Sequence, residues 1–147
     1  MKKAIVVLFL LLGLTACGNR MEYSDFYSYT DLEIIFQDMR RENGRFMHRY
    51  RFLDVRSQAE RRISCPRLFT FHTIGSILID MDNMGVRNRD YIILMGTNSE
   101  DLRPHAIRDL LVENGFRNVV IYLGGFENYL LNPDARIQTN CSTDCGC

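Results

Sequence analysis

The chain has 147 residues, 18 basic and 18 acidic side chains and 46% hydrophobic residues. That length holds one domain with its own core and excludes two. The balanced charge excludes the basic surplus that binding to a phosphate backbone needs, so nucleic acid is not an expected partner. Both lysines lie in the first 16 residues, and beyond them 16 arginines face 18 acidic side chains. The arginines that gather between Arg40 and Arg67 read as a solvated face beside a polar loop.

Residues 1–16 have the form of a signal peptide: Lys2 and Lys3 precede a short apolar core, Ala4 to Leu14, too short to span a bilayer. Leu14-Thr15-Ala16-Cys17 resembles the bacterial lipobox. The resemblance implies cleavage before Cys17, a thioether-linked lipid on its sulfur and a fatty acyl group such as palmitate on its amine. The expected location is the bacterial cell envelope, on the periplasmic face in a Gram-negative host, with the membrane reached through the lipid anchor. Gly18 is compatible with outer-membrane sorting. Residues 17–29, polar with scattered aromatics, read as a tether.

A domain is expected over 30–131. Thr30-Asp31-Leu32-Glu33 has the S/T-x-x-E form of a capping box, and Leu32, Ile35, Phe36 and Met39 follow at helical spacing, predicting a helix over 30–42. Asn43-Gly44 stops it. The runs YRFLDV (50–55), SILI (76–79), YIILM (91–95) and NVVIYL (118–123) read as strands. Arg103 to Glu113 reads as a helix with Ile107, Leu110 and Leu111 on one side and Asn114-Gly115 as its stop. FENYLL, after Gly124-Gly125, fits one helix turn or two. Strands separated by helices predict an α/β fold with a central parallel sheet flanked by helices. Residues 132–147 have neither period and read as a cysteine-containing polar tail.

Four pieces in order carry a family resemblance: Asp54-Val55-Arg56, His72-Thr73-Ile74-Gly75-Ser76-Ile77, Gly115-Phe116-Arg117-Asn118-Val119, and Ile121-Tyr122-Leu123-Gly124-Gly125. Together they resemble the rhodanese (sulfurtransferase) homology domain, so a single rhodanese-like domain is expected. Asp54 and Arg56, just past a strand end, are placed to fix loop backbones by charge-assisted hydrogen bonds. His72 belongs to the same loop-fixing set, and Gly75, Gly124 and Gly125 to positions where backbones approach closely.

Active members of the family place a cysteine after the third strand, in a C-x-x-G-x-R loop whose N–H groups favour a thiolate and then a persulfide. The matching stretch is Gly96-Thr97-Asn98-Ser99-Glu100-Asp101-Leu102-Arg103. Counting back from Gly115 puts the family's arginine on Arg103 and the nucleophile near Asn98; counting along the strand puts it at Gly96, so the loop is longer than usual. No cysteine lies between 66 and 140. Glu100 and Asp101 bring two carboxylates that would oppose a thiolate or thiosulfate. Thr97 and Ser99 lack an orienting third group, with His105 the one nearby histidine, so no serine-type site is expected.

Besides Cys17 the chain has Cys65, Cys141, Cys145 and Cys147. In an oxidising compartment the default for four is two disulfides in one of three pairings. A tail cysteine bonded to Cys65, which lies in a stretch longer than the family's, would tie the C-terminus across the mouth of the site. Two alternatives use the same thiols: a soft metal such as Cu or Zn, or thiol redox and sulfur transfer. His48, His72 and His105 are scattered and add no ligand pair.

The leading reading is a lipid-anchored envelope protein that lacks standard sulfurtransferase activity and serves as a binding or scaffolding module, with an envelope protein as partner. One alternative is a sulfurtransferase or redox protein working through Cys65 or the C-terminal cysteines. A second is a soft-metal-binding lipoprotein.

Overall fold

The computed structural model describes residues 26–41 and 49–141. The signal segment, Cys17, Gly18, the Asn43-Gly44 stop, Cys145 and Cys147 lie outside the described residues. In chain order the elements are β1 (Phe26–Tyr27), α1 (Tyr29–Arg41), β2 (Tyr50–Asp54), α2 (Gln58–Ile63), β3 (Ser64–Pro66), β4 (Thr70–Phe71), α3 (Ile77–Asn83), β5 (Tyr91–Met95), α4 (Arg103–Glu113), β6 (Asn118–Tyr122), α5 (Gly125–Leu130) and β7 (Ile137–Thr139). Five strands make one parallel sheet in the order β1-β6-β5-β2-β4. β3 and β7 form a separate antiparallel pair.

The central strand β5 shows why these runs become strands. Ile92, Ile93, Leu94 and Met95 are all fully buried, which requires cover on both faces of the sheet. Ile93 and Met95 meet Phe52, Val120 and Tyr122 under Leu32, Ile35 and Met39 of α1 and Phe126 and Tyr129 of α5. Ile92 and Leu94, pointing the other way, meet Leu53, Val119 and Ile121 under Ile77 and Met81 of α3 and Ile107 and Leu111 of α4. The predicted parallel α/β layering is what forms.

SILI is not a strand. Ile77 opens α3, and Ile77 and Met81, four residues apart, are buried while Ile79 between them is 65% exposed. Burial follows the helical period, and a run of four apolar residues does not distinguish the two periods. The sheet position expected for SILI belongs to β4, whose two residues pair with Leu53 and Asp54.

The N-terminal boundary also differs. α1 starts at Tyr29, and the reciprocal bonds at its start run between Ser28 and Asp31: Ser28 Oγ and N–H donate to Asp31 Oδ2 at 2.6 and 2.7 Å, and Asp31 N–H donates to Ser28 Oγ at 3.4 Å. The box therefore lies two residues upstream of Thr30 and Glu33. Residues 26–29, read as tether, contribute β1 and the first residue of α1.

In the C-terminal stretch, residues 137–139 are not an unpaired polar segment but β7, registered Ser64↔Thr139, Cys65↔Gln138 and Pro66↔Ile137. A disulfide joins Cys65 to Cys141, with Cα atoms 6.2 Å apart. It closes 76 residues of chain, a crosslink of the size that stabilises a domain by roughly 2–5 kcal/mol.

Candidate functional site

Asp54, the last residue of β2, is completely buried beneath the C-terminal edge of the sheet. It accepts from Arg56 Nε at 2.9 Å, Arg56 Nη2 at 2.8 Å and Arg61 Nη1 at 3.0 Å. Both guanidiniums also bind backbone carbonyls, Arg56 that of Ser64 at 2.7 Å and Arg61 that of Phe69 at 3.1 Å. One carboxylate thus ties the end of β2 to the segment carrying α2 and β3 through charge-assisted bonds. The guanidinium carbon of Arg56 lies over the Phe126 ring, 3.7 Å from its centroid. His72 is buried with one ring nitrogen 2.8 Å from Thr70 Oγ1 and the other 2.9 Å from Asp80 Oδ2, which sets the 73–76 segment against α3.

Gly125 (φ +61°) lies against the loop that follows β5. A Cβ there would come within 2.6 Å of Asn98 N and Thr97 C, and the Phe126 and Glu127 N–H groups donate to Gly96 and Thr97 carbonyls at 2.8 and 2.9 Å. Gly75, by contrast, has open space where its side chain would be, with nothing nearer than 4.0 Å, so close approach does not require glycine there.

The loop itself is organised by its own carboxylate. Asp101, its side chain 6% exposed, accepts from Thr97 N–H at 2.8 Å, Arg103 N–H at 3.0 Å, and Arg103 Nε and Nη2 at 2.8 Å each. It fills the concave side of the loop instead of opposing an anion across it. Glu100 is exposed, with its N–H bonded to Asn98 Oδ1 at 3.1 Å. At Gly96 a Cβ would stand 2.6 Å from Asp101 Oδ2 and 2.7 Å from Pro104 Cγ, so this arrangement admits no nucleophile side chain there. At Asn98 the amide donates to Glu127 Oε1 at 3.4 Å.

Two residues that sequence reading did not place at the site are Ser57 and Glu60. Ser57 caps α2 in a reciprocal capping box with Glu60, and Ser57-Gln58-Ala59-Glu60 is itself an S-x-x-E signal. Glu60 reaches from α2 to the loop: it accepts from Arg103 Nη1 at 3.0 Å, from Ser57 N–H at 2.9 Å, and from the hydroxyls of Ser57 and Thr97. Burial works against the charge of Glu60, but the bonds from Arg103, Ser57 and Thr97 outweigh it and hold its carboxyl at about 2. Asp101 is also lowered, burial again being outweighed by Arg103 and the Thr97 N–H. Arg103 is raised, first by Asp101, against desolvation, and then by Glu60.

The Thr97 hydroxyl donates to Glu60 and accepts from Arg103 Nη2 at 2.6 Å, and a carboxylate ionised down to about pH 2 is a weak base. Cys65 and Cys141 are joined and neither lines the cavity beside the loop. Among the described residues no group of three or more His, Cys, Asp or Glu is arranged to hold a metal ion. The expected bond between a tail cysteine and Cys65 is present as Cys65–Cys141, next to the β3–β7 pair.

What the arrangement does offer is space. A cavity of about 520 Å³ opens between the end of β2, the 73–74 segment and α4. Its lining is mainly apolar, including Val55, Phe71, Ile74 and Ile107, with Arg56 and Arg103 as its charged members.

No family model matches the chain, and no curated protein matches it. Solved structures do. The Alr3790 protein from Anabaena sp. is similar at 19% identity over 71% of this chain and 77% of that one, with a TM-score of 0.55. The rhodanese-like domain of Alr3790, solved by NMR, gives 17% identity, 84% and 87% coverage and a TM-score of 0.60. Thiosulfate sulfurtransferase from Pseudomonas aeruginosa gives 16% identity over 78% of this chain but only 20% of that one, with a TM-score of 0.61. Identities this low speak to architecture and leave activity aside. With its parallel sheet, its helices on both faces and these neighbours, the chain has a rhodanese-like fold.

Proposed function

We propose that this protein is a lipid-anchored binding module of the bacterial cell envelope, a rhodanese-like domain that does not carry out standard sulfur transfer. The observation that carries the reading is Asp101, whose carboxylate takes the loop N–H of Thr97 and the fork of Arg103. A sulfurtransferase of this fold needs those donors free for a thiolate and its persulfide, and it needs a thiol in the loop. Residues 96–103 have none. The intact cavity beside the loop supports binding as the retained capacity. The partner is an envelope protein or a ligand held at the membrane surface, not nucleic acid.

The test is cyanide-dependent thiocyanate formation from thiosulfate, measured on reductant-treated wild type, Cys65→Ser and a chain truncated after Asn140. Negligible turnover in all three is expected. Robust turnover that disappears in either variant would overturn the reading in favour of an enzyme with a displaced cysteine.

A further inference from the structure

The charges around the cavity pair off within the protein. Arg56 and Arg61 share Asp54, and Arg103 is held by both Asp101 and Glu60. Three guanidiniums therefore stand with three carboxylates. Glu100 and Glu127 are further carboxylates on the loop and at the start of α5, and both residues are exposed. An anion entering this cavity would lose hydration without meeting a net positive charge, and the fixed carboxylates behind the arginines would repel it.

The hydrogen-bonding balance is different. Arg103 uses Nε, Nη1 and Nη2 toward Asp101, Glu60 and Thr97, and these bonds occupy four of its five side-chain N–H groups. Arg56 bonds through Nε and Nη2 to Asp54 and Ser64; none of these bonds uses Nη1, and Arg56 is among the residues that line the cavity, with its side chain 3% exposed. The guanidinium carbon of Arg56 also lies over the Phe126 ring, 3.7 Å from its centroid, which restrains the group. The rest of the wall, Val55, Phe71, Ile74 and Ile107, is apolar, and Ile74 is 55% exposed at the mouth.

We infer that the cavity between β2, the 73–74 segment and α4 binds a neutral, mainly apolar small molecule that carries one carbonyl-type acceptor, and that it discriminates against anions. The acceptor takes the N–H groups of Arg56 and Arg103 that the internal bonds do not use, and the apolar body fills the space beside Phe71 and Ile107. The volume is in the range of small-molecule sites, roughly 300–1,000 Å³. This ligand class rests on the reading of the domain as a binding module and specifies what that module takes.

The experiment titrates the isotope-labelled full chain with cyclohexanecarboxamide, with cyclohexanecarboxylate, which has the same shape and a negative charge, and with thiosulfate. Backbone amide shifts of Ser57, Gln58, Thr73 and Ile74 are followed. The amide is expected to shift these signals at concentrations about tenfold or more below the carboxylate, with thiosulfate weaker still. Ala106→Trp, which places a large ring in the cavity from α4, should abolish the amide's effect while the remaining spectrum stays dispersed. Asp101→Asn uncovers the charge of Arg103 and should move the preference toward the carboxylate.

Tighter binding of carboxylate or thiosulfate by wild type would overturn the ligand class and leave the binding-module reading standing. Absence of shifts at these residues with the amide, or shifts that persist in a folded Ala106→Trp, would overturn the site. Thiocyanate turnover is a separate outcome, and it overturns the module reading itself.

Discussion

Glu60 sits at the junction of two elements far apart in sequence, and its four donors explain its acidity. Ser57 supplies an N–H and a hydroxyl from the cap of its own helix, and Thr97 and Arg103 supply the rest from the loop. These bonds exist only in the folded chain, so the carboxyl falls from its ordinary 4.5 to about 2 on folding. A lowered folded pKa means that the stabilisation is present above pH 4.5 and is lost as pH falls toward 2. Glu60→Gln cannot lose a proton, so its deficit against wild type should be greatest above pH 4.5 and shrink on acidification toward pH 2. Urea midpoints of both proteins across that range measure the effect. Because the Glu60 side chain is one-third exposed, solvent screening keeps the difference modest. A deficit that stays constant with pH would mean that these bonds do not set the ionisation of Glu60. The Ser57–Glu60 box was readable as a helix start, but nothing in its spacing tells that Glu60 would turn toward a loop 37 residues away.

At the scale of elements, the runs at 50–54, 91–95 and 118–122 became strands because each puts apolar side chains on both faces, Phe52 and Leu53 in the first, and fits between two helical layers. The helix at 103–113 was legible from its stop signal and its spaced apolar residues. α3 was not, because Ser76-Ile77-Leu78-Ile79 fits either period until Met81 is counted with Ile77. β3 and β7 gave no local signal at all, since each is three residues long and is held by its partner and by the Cys65–Cys141 bond. Ile77→Ala should cost about 2–5 kcal/mol, as other buried large-to-small changes do, whereas Ile79→Ala should stay within about 0.5 kcal/mol. A strand with that register would bury Ile77 and Ile79 together, so equal losses at the two positions in urea unfolding would contradict the helix.

For the molecule as a whole, the parallel architecture followed from the alternation of strands and helices, and the absence of a loop thiol followed from the sequence itself. The direction in which Asp101 points did not, because a loop carboxylate can face solvent or bond nearby backbone N–H groups, and residue type does not choose between them. Among the described residues no helix is long and apolar enough to cross a membrane, and the core from Ala4 to Leu14 is too short to do so. Anchoring in the proposed function therefore falls on Cys17. A single acyl chain gives marginal binding, and the several chains of a bacterial lipoprotein give firm attachment. In that reading residues 17–25, ahead of β1 at Phe26, would be the link to the lipid, a stretch of nine residues that reaches at most about 30 Å. The domain would then work close to the bilayer surface. Cys17→Ser should leave the protein either unprocessed or released to the soluble fraction, with no incorporation of a labelled fatty acid, while the folded domain keeps its urea midpoint. A variant that remains with the membrane at unchanged electrophoretic mobility would refute lipid anchoring through Cys17.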